Sequence, residues 1–156
     1  MELKELIART GGPGRVEWIG IRPARREALL PCEEVEIGAG GLAGDHGRPG
    51  KRAVTMIQAE HLDVIAALIG RDVLPQMLRR NIVVSGINLT ALKGRSVRMG
   101  SALLRWTTVC APCSRMEEAL GNGGYAALRG HGGWCAEVIE PGTVRVNDRV
   151  SALPVG

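Results

Sequence analysis

The sequence predicts a β-rich fold, a closed or partly closed β-barrel with a few helices. Three observations carry that prediction. Short apolar or alternating runs recur along the chain and read as strands. Turns built on glycine and proline separate them, and 22 of the 156 residues are glycine. Sustained helical spacing is clearest from Gln58 to Ile69. Many short strands joined by glycine turns are the pattern of a barrel, with that helix capping it from outside.

Each element has its own signal. Glu2 to Arg9 is a short polar segment of one or two helical turns, broken by Gly11-Gly12-Pro13-Gly14. Arg15 to Ile21 alternates apolar and polar residues as a strand does, and Pro23 ends it. Val35 and Ile37 mark a second strand. Ala53 to Ile57 reads as a third. In the helix that follows, Leu62, Ile65, Ala66 and Ile69 share a face and Gly70 is the stop. Asp72 to Leu78 is a candidate second helix. Ile82-Val83-Val84 is a buried strand, and Leu89 to Leu92 a turn or short helix. Val97 to Met99 and Ala102 to Val109 form a hairpin around Gly100-Ser101. Arg115 to Leu120 spans one or two helical turns. Trp134 to Ile139 and Thr143 to Ser151 read as a second hairpin around Glu140-Pro141-Gly142. No βαβ pattern is expected.

Length and composition bound the rest. A chain of 156 residues is read as one domain, 1–156, with its core at about 16–152. At that size folding needs neither disulfide nor metal. Phe is absent and Tyr125 is the single tyrosine, so the core is aliphatic. The net charge is +4, but the basic residues are scattered and not interleaved with aromatics, so a nucleic-acid partner is not expected. No secretory leader and no apolar run of about 18 residues is visible. A cytoplasmic location is expected, with the cysteines Cys32, Cys110, Cys113 and Cys135 reduced.

Three groups of residues carry chemistry. The first is Cys110-Ala111-Pro112-Cys113. Its spacing suits half of a zinc site, with His131 and Cys135 as the remaining candidates. It also suits a dithiol, or one reactive thiolate aimed by the rigid Pro112. Two buried apolar thiols are the bland alternative. The second group is Arg79-Arg80-Asn81. Guanidinium binds phosphate or carboxylate through two parallel hydrogen bonds, and Asn adds a donor and an acceptor. The alternative is an exposed basic pair at a helix end. The third is the glycine-rich stretch Gly38 to Arg52. There Lys51 and Arg52 bring charge, backbone N–H groups can face an anion, and Asp45-His46 is either an acid–base or metal pair or simple turn chemistry. His61 reads as an ordinary helix residue, and His131 as part of a turn.

Together these residues resemble the MOSC family, the domain found at the C-terminus of molybdenum cofactor sulfurases. The resemblance runs from about Val16 to Ala152. It rests on Gly44-Asp45-His46, Lys51-Arg52-Ala53-Val54-Thr55, Arg79 with Asn81, Gly86-Ile87-Asn88-Leu89, the Gly100 turn, Cys110-Ala111-Pro112-Cys113 and the closing strands around Asp148. It implies a barrel-like domain that binds the molybdenum cofactor. It further implies that Cys113 is the functional thiol and metal ligand, and that Arg79 and Asn81 lie at the cofactor pocket. Asp45, His46, Lys51 and Arg52 complete the expected cofactor-binding set. The amidoxime-reducing relatives carry an Asp-rich stretch after the cysteine, where this chain has Ser114-Arg115-Met116-Glu117-Glu118. Their additional N-terminal region and the desulfurase half of the eukaryotic sulfurases have no counterpart here, so a stand-alone domain is expected.

Two functions follow from the resemblance. One is a molybdenum-dependent reductase of N-hydroxylated substrates, served by an electron-donor protein. The other is a carrier in which Cys113 holds a persulfide, or the domain holds the cofactor in transit. A carrier delivers to a cofactor-accepting enzyme and has a pyridoxal-phosphate cysteine desulfurase as a candidate sulfur source.

Overall fold

The alternation that marks the first strand reflects a wall with one face turned to an apolar interior. In a computed structural model describing residues 1–155, helix α1 (Leu3–Ala8) precedes strand β1 (Gly14–Ile21), whose Val16 and Ile19 are buried. Two short strands, β2 (Leu30–Pro31) and β4 (Gly41–Leu42), flank β3 (Glu34–Gly38). Strand β5 (Val54–Gln58) runs directly into helix α2 (Ala59–Ile69), and β6 (Ile82–Ser85) follows. The hairpin β7 (Ser96–Met99) and β8 (Ala102–Val109) leads to the short helices α3 (Arg115–Leu120) and α4 (Gly124–Leu128). Strands β9 (Trp134–Glu140), β10 (Gly142–Arg145) and β11 (Arg149–Ala152) close the chain.

The main sheet runs β11-β7-β8-β9-β5-β6-β1-β2, and a further pairing of β11 with β1 closes it. Seven strands therefore form a closed barrel, with β2 as an extension beyond β1. Closure leaves those seven strands with paired neighbours on both sides, which removes the exposed edges an open sheet would present. Val16, Val54, Met56, Val84, Val97, Leu104 and Val150 fill the interior together with Trp106 and Trp134, so the core is not wholly aliphatic as the absence of Phe predicts. A smaller sheet, β10-β3-β4, packs its Val35, Ile37 and Leu42 onto the same core.

Three further sequence expectations need correction. Strands β9 and β10 do not form a hairpin: β10 pairs with β3, while β11 pairs with β7 and β1. The turn residues Glu140-Pro141-Gly142 redirect the chain from the barrel into the small sheet. Second, β5 and β6 are parallel, with α2 as their crossover, so the chain does contain one βαβ unit. Adjacent parallel strands cannot be joined by a tight turn, which is why the long helix sits there. Third, the segment Asp72 to Leu78 holds only a 3-10 turn, Pro75–Met77.

Helix α2 lies outside the barrel, as its spacing predicts. Ile65 is fully buried, and Leu62 and Ile69 pack beside it against Ile57, Val83, Leu120 and Leu128. Gly70 ends the helix in the left-handed region, φ 76°, where glycine has no Cβ to strain. Burial of Ile65 alone is worth about 1.5–3 kcal/mol. This second core docks α2, α3 and α4 on one side of the barrel and so positions the segment between β8 and α3, where Cys113 lies.

Candidate functional site

Cys110 directly follows the last residue of β8, Val109, and its surroundings differ from those of Cys113. Cys110 is buried and its N–H donates to the Gly133 carbonyl at 2.9 Å, continuing the β8–β9 ladder by one residue. Cys113 lies beyond it on the approach to α3 and is exposed. The C-x-x-C spacing thus does not make a chelating pair. The partner of Cys110 is Cys135 on β9, with the two Sγ atoms 2.9 Å apart. That is closer than two thiolates can lie when a metal ion with Zn–S bonds of about 2.3 Å sits between them in tetrahedral geometry. Among the described residues no group of three or more His, Cys, Asp and Glu side chains is placed to hold a metal ion.

Cys113 opens onto a cleft of about 740 Å³. Arg22, Arg25, Arg48, Arg79, Arg80 and Arg115 line it, with His46, Thr55 and Met116, and no carboxylate is among the lining residues. The volume falls within the range of small-molecule sites, about 300–1,000 Å³. Like charges gathered without counter-charges repel one another, and such a surface is built to meet an anion.

Arg79 carries two signs of strain. Its φ is 61°, in the left-handed region that costs a non-glycine residue about 1–2 kcal/mol. Its Nη2 is buried with no hydrogen-bond partner among the described residues. Burial, and then the neighbouring cations Arg22 and Arg115, push its pKa below the usual guanidinium value, while Cys113 acts in the opposite sense. An unmade donor of this kind costs about 1–3 kcal/mol. Strain kept at one residue of a cleft is an indication of function.

The other predicted residues fall into three places. Asn81 is buried, and its side chain is engaged within the fold. Its Oδ1 accepts from Thr55 Oγ1 at 3.0 Å and its Nδ2 donates to the Gly20 carbonyl at 3.1 Å. Its backbone N–H donates to Thr55 Oγ1 at 2.9 Å. Asn81 therefore ties β1 and β5 together immediately after Arg79 and Arg80 and sets where those guanidiniums emerge. Asp45 and His46 tie the glycine-rich loop to β1. Asp45 Oδ1 accepts from the Arg22 N–H at 2.7 Å, and the His46 N–H donates to the Arg22 carbonyl at 2.6 Å. Asp45 thus bonds backbone 23 residues away and not within its own turn, the two residues fix the backbone at Arg22, and His46 also lines the cleft. Arg52 lines a smaller recess of about 120 Å³ with Asp45, Arg79 and Asn81. Lys51 is exposed, and its carbonyl accepts from Thr107 Oγ1 on β8.

Sequence reading missed Arg22, Arg25, Arg48 and Arg115 as members of the site. Arg22 and Arg25 follow the first strand closely in sequence, but nothing local places them opposite Arg79. It also missed a second cavity of about 450 Å³ on the other side of the Cys110–Cys113 segment, lined by Cys110, Ala111, Pro112, Leu89, Leu128 and Trp134 among others. His61 on α2 borders this cavity, with its ring edge-on to His131 at 5.0 Å. Arg80 links the two cavities. Its guanidinium lines the cationic cleft, and its Nε donates to the Gly132 carbonyl at 2.7 Å in the turn before β9. Cys32 stands apart, half-buried against the barrel core, with its thiol pKa raised by burial and by Glu33.

A model of the MOSC domain family matches residues 33–151, which covers the small sheet, the barrel strands from β5 onward and the Cys113 segment. The chain belongs to the MOSC domain family. Solved structures agree on its fold. The YuaD protein from Bacillus subtilis superposes with a TM-score of 0.79 at 20% identity, covering 93% of this chain and 98% of that one. YiiM from Geobacillus stearothermophilus gives 0.77 at 17% identity, covering 90% and 75%. YiiM from Escherichia coli gives 0.73 at 20% identity, covering 91% and 71%. At these identities the likeness is one of fold. No curated protein sequence matches this MOSC domain at a significant level. Among the described residues no helix is long and apolar enough to cross a membrane.

Proposed function

We propose that this MOSC domain binds the molybdenum cofactor in the arginine-lined cleft, with Cys113 as the protein ligand to the metal. The observation that carries the reading is the unpartnered, buried Nη2 of Arg79, in a cleft that six arginines and Cys113 share. The cofactor brings the two things such a cleft suits. Its phosphate accepts from guanidinium donors, and its soft metal suits a thiolate. The family's association with molybdenum cofactor and sulfur chemistry supports the same reading.

Each residue then has a task. Arg79 holds the anionic group through its free donor, and Arg22 and Arg115 add field from the cleft walls. Arg80 is partly engaged with Gly132 and acts as a fixed neighbouring charge. Asn81 is a positioning residue for Arg79 and Arg80, and Asp45 for Arg22. Pro112 limits the freedom of the segment that presents Cys113. When bound, the cofactor supplies two-electron redox chemistry at molybdenum, which suits reduction of an N-hydroxylated substrate with electrons from a donor protein. The exposure of Cys113 favours a second reading, a carrier that passes a persulfide or the cofactor itself to a partner enzyme. A cysteine desulfurase of the pyridoxal-phosphate type is then the candidate sulfur source.

The test is purification from molybdenum-replete cells, with metal and pterin measured per chain for wild type, Cys113→Ser and Cys110→Ser. Near-stoichiometric molybdenum and pterin in wild type, with metal lost in Cys113→Ser and kept in Cys110→Ser, is expected. Sulfane sulfur on Cys113 without metal would select the carrier. Equal losses in both variants would overturn the assignment of Cys113.

A further inference from the structure

Cys110 and Cys135 have no part in the cofactor reading, yet their sulfurs are in contact. In the β8–β9 ladder Thr108 faces Cys135 and Val109 faces Trp134, and Cys110 continues the ladder opposite Gly133. Residues two apart on a strand share a face, so Cys110 projects on the same side as Thr108 and Cys135. Its direct neighbour Gly133 has no side chain to separate them. The backbone there cannot easily yield, because a Cβ on Gly133 would run into the Met56 carbonyl of β5 and its φ is 90°. The result is a buried Sγ···Sγ contact of 2.9 Å, in which either sulfur can be the donor. The pair is not sealed off, since Cys110 forms part of the wall of the 450 Å³ cavity.

We propose that Cys110 and Cys135 are a two-electron redox pair that a hydroperoxide, reaching Cys110 through the apolar cavity, oxidises to a disulfide between the end of β8 and the start of β9. The electrostatics of the pair rest the charge on Cys135 and the shared proton on Cys110. The hydrogen bond from Cys110 lowers Cys135 to about 7 against burial, helped by Arg80 and Arg52. The same bond, and then burial, raise Cys110. The pair gives up one proton readily and shares the other. Moving the shared proton across the 2.9 Å contact to Cys135 leaves the thiolate on Cys110, the sulfur on the cavity wall, and Cys110 then attacks a peroxide oxygen. The O–O bond breaks, the leaving oxygen departs as water or an alcohol with a proton from solvent, and Cys110 becomes a sulfenic acid. Cys135 sulfur then attacks the Cys110 sulfur. The S–O bond breaks, water leaves with the Cys135 proton, and the S–S bond forms. Two thiols have lost two electrons and two protons, and the peroxide has taken them up. A dithiol reductant reverses the step by thiol–disulfide exchange.

The site is independent of any bound cofactor, and so is its test. Cys113→Ser protein, which lacks the exposed thiol, is treated with hydrogen peroxide, and free thiols are counted after denaturation. The mass is then measured and a tryptic digest is searched for peptide Trp106–Arg115 joined to Gly130–Arg145. A loss of two thiols per chain, a linked peptide pair and full recovery with dithiothreitol are expected. The linkage should vanish when Cys110→Ala or Cys135→Ala is added. The same linked peptides from oxidised wild type give the answer without any substitution, should a variant fail to fold. Unlinked cysteines at 110 and 135 in folded, peroxide-treated protein would overturn the proposal. So would a wild-type disulfide confined to peptide Trp106–Arg115, joining Cys110 to Cys113.

Discussion

Removing the Arg79 guanidinium should weaken anion binding strongly while leaving the unliganded fold intact or slightly more stable. The wild-type side chain keeps Nη2 buried and unpartnered, a penalty of about 1–3 kcal/mol that Arg79→Ala deletes. The left-handed backbone strain at φ 61° stays in the variant, because alanine keeps a Cβ. When an anion arrives, wild type gains a charge-assisted hydrogen bond worth about 1.5–3 kcal/mol, equivalent to roughly a 10- to 150-fold difference in Kd. Inorganic phosphate is the simplest probe, read by unfolding midpoints. At a concentration about 100 times the wild-type Kd, wild type should gain about 2.7 kcal/mol and Arg79→Ala only about 0.3–1.4 kcal/mol. The ratio between the two proteins should persist as salt is raised. The exposed Arg25 and Arg48 are screened within about 10 Å at 0.1 M, whereas Arg79 is half-buried. Arg79→Lys keeps the charge but not the planar fork and should fall between. The reasoning is refuted if Arg79→Ala binds phosphate as tightly as wild type. It is equally refuted if the unliganded variant loses 2 kcal/mol or more (about the scale of a real packing role), since Arg79 would then be structural.

Two further outcomes follow from other parts of the molecule. His61 titrates below its usual value because of burial and then His131, with Glu60 opposing. The unfolded chain therefore takes up that proton first, and stability should fall as pH drops from about 6.5 toward the folded-state pKa. Urea midpoints at pH 7.5 and 5.5 should show a smaller acid loss in His61→Gln than in wild type, and an equal loss would remove His61 from the account. Trp106, almost fully buried in the barrel, leaves its Nε1 donor without a partner among the described residues. Trp106→Phe sheds that penalty along with some apolar area and should change stability by no more than about 1 kcal/mol, against about 3–5 kcal/mol for Trp106→Ala. A Phe variant as damaged as the Ala variant would show that the indole donor is satisfied in solution.

Much of the barrel was legible in the sequence because strand signals are local. Val16 and Ile19 in β1, the run Ile82-Val83-Val84 in β6 and the turn at Gly100 each declare themselves within a few residues. The α2 face and its Gly70 stop are equally local. The partners of those strands were not legible. Pro141-Gly142 marks a turn whether the next strand folds back onto β9 or leaves for β3, and only the packing of Val144 against Val35 and the rest of the core decides. The parallel β5–β6 pair was hidden for the same reason, since parallel strands are joined through a crossover and carry no hairpin signal.

The candidate site divides along the same line. The sequence by itself determined that Cys110, Cys113, Arg79, Arg80 and Asn81 were residues with chemistry to offer, because thiol, guanidinium and amide carry it wherever they lie. Tertiary structure decided which of them work together. Cys113 is turned to the cleft and Cys110 to Cys135 because Cys110 still follows the β8–β9 ladder and Cys113 lies beyond it. Asn81 is consumed by Thr55 and Gly20 because β1, β5 and β6 meet around it. Arg22, Arg25, Arg48 and Arg115 join Arg79 only because barrel closure brings distant loops to one end. Side-chain chemistry belongs to the residue, but a site is a set of distances between residues far apart in the chain, and the barrel's closed pairing sets them.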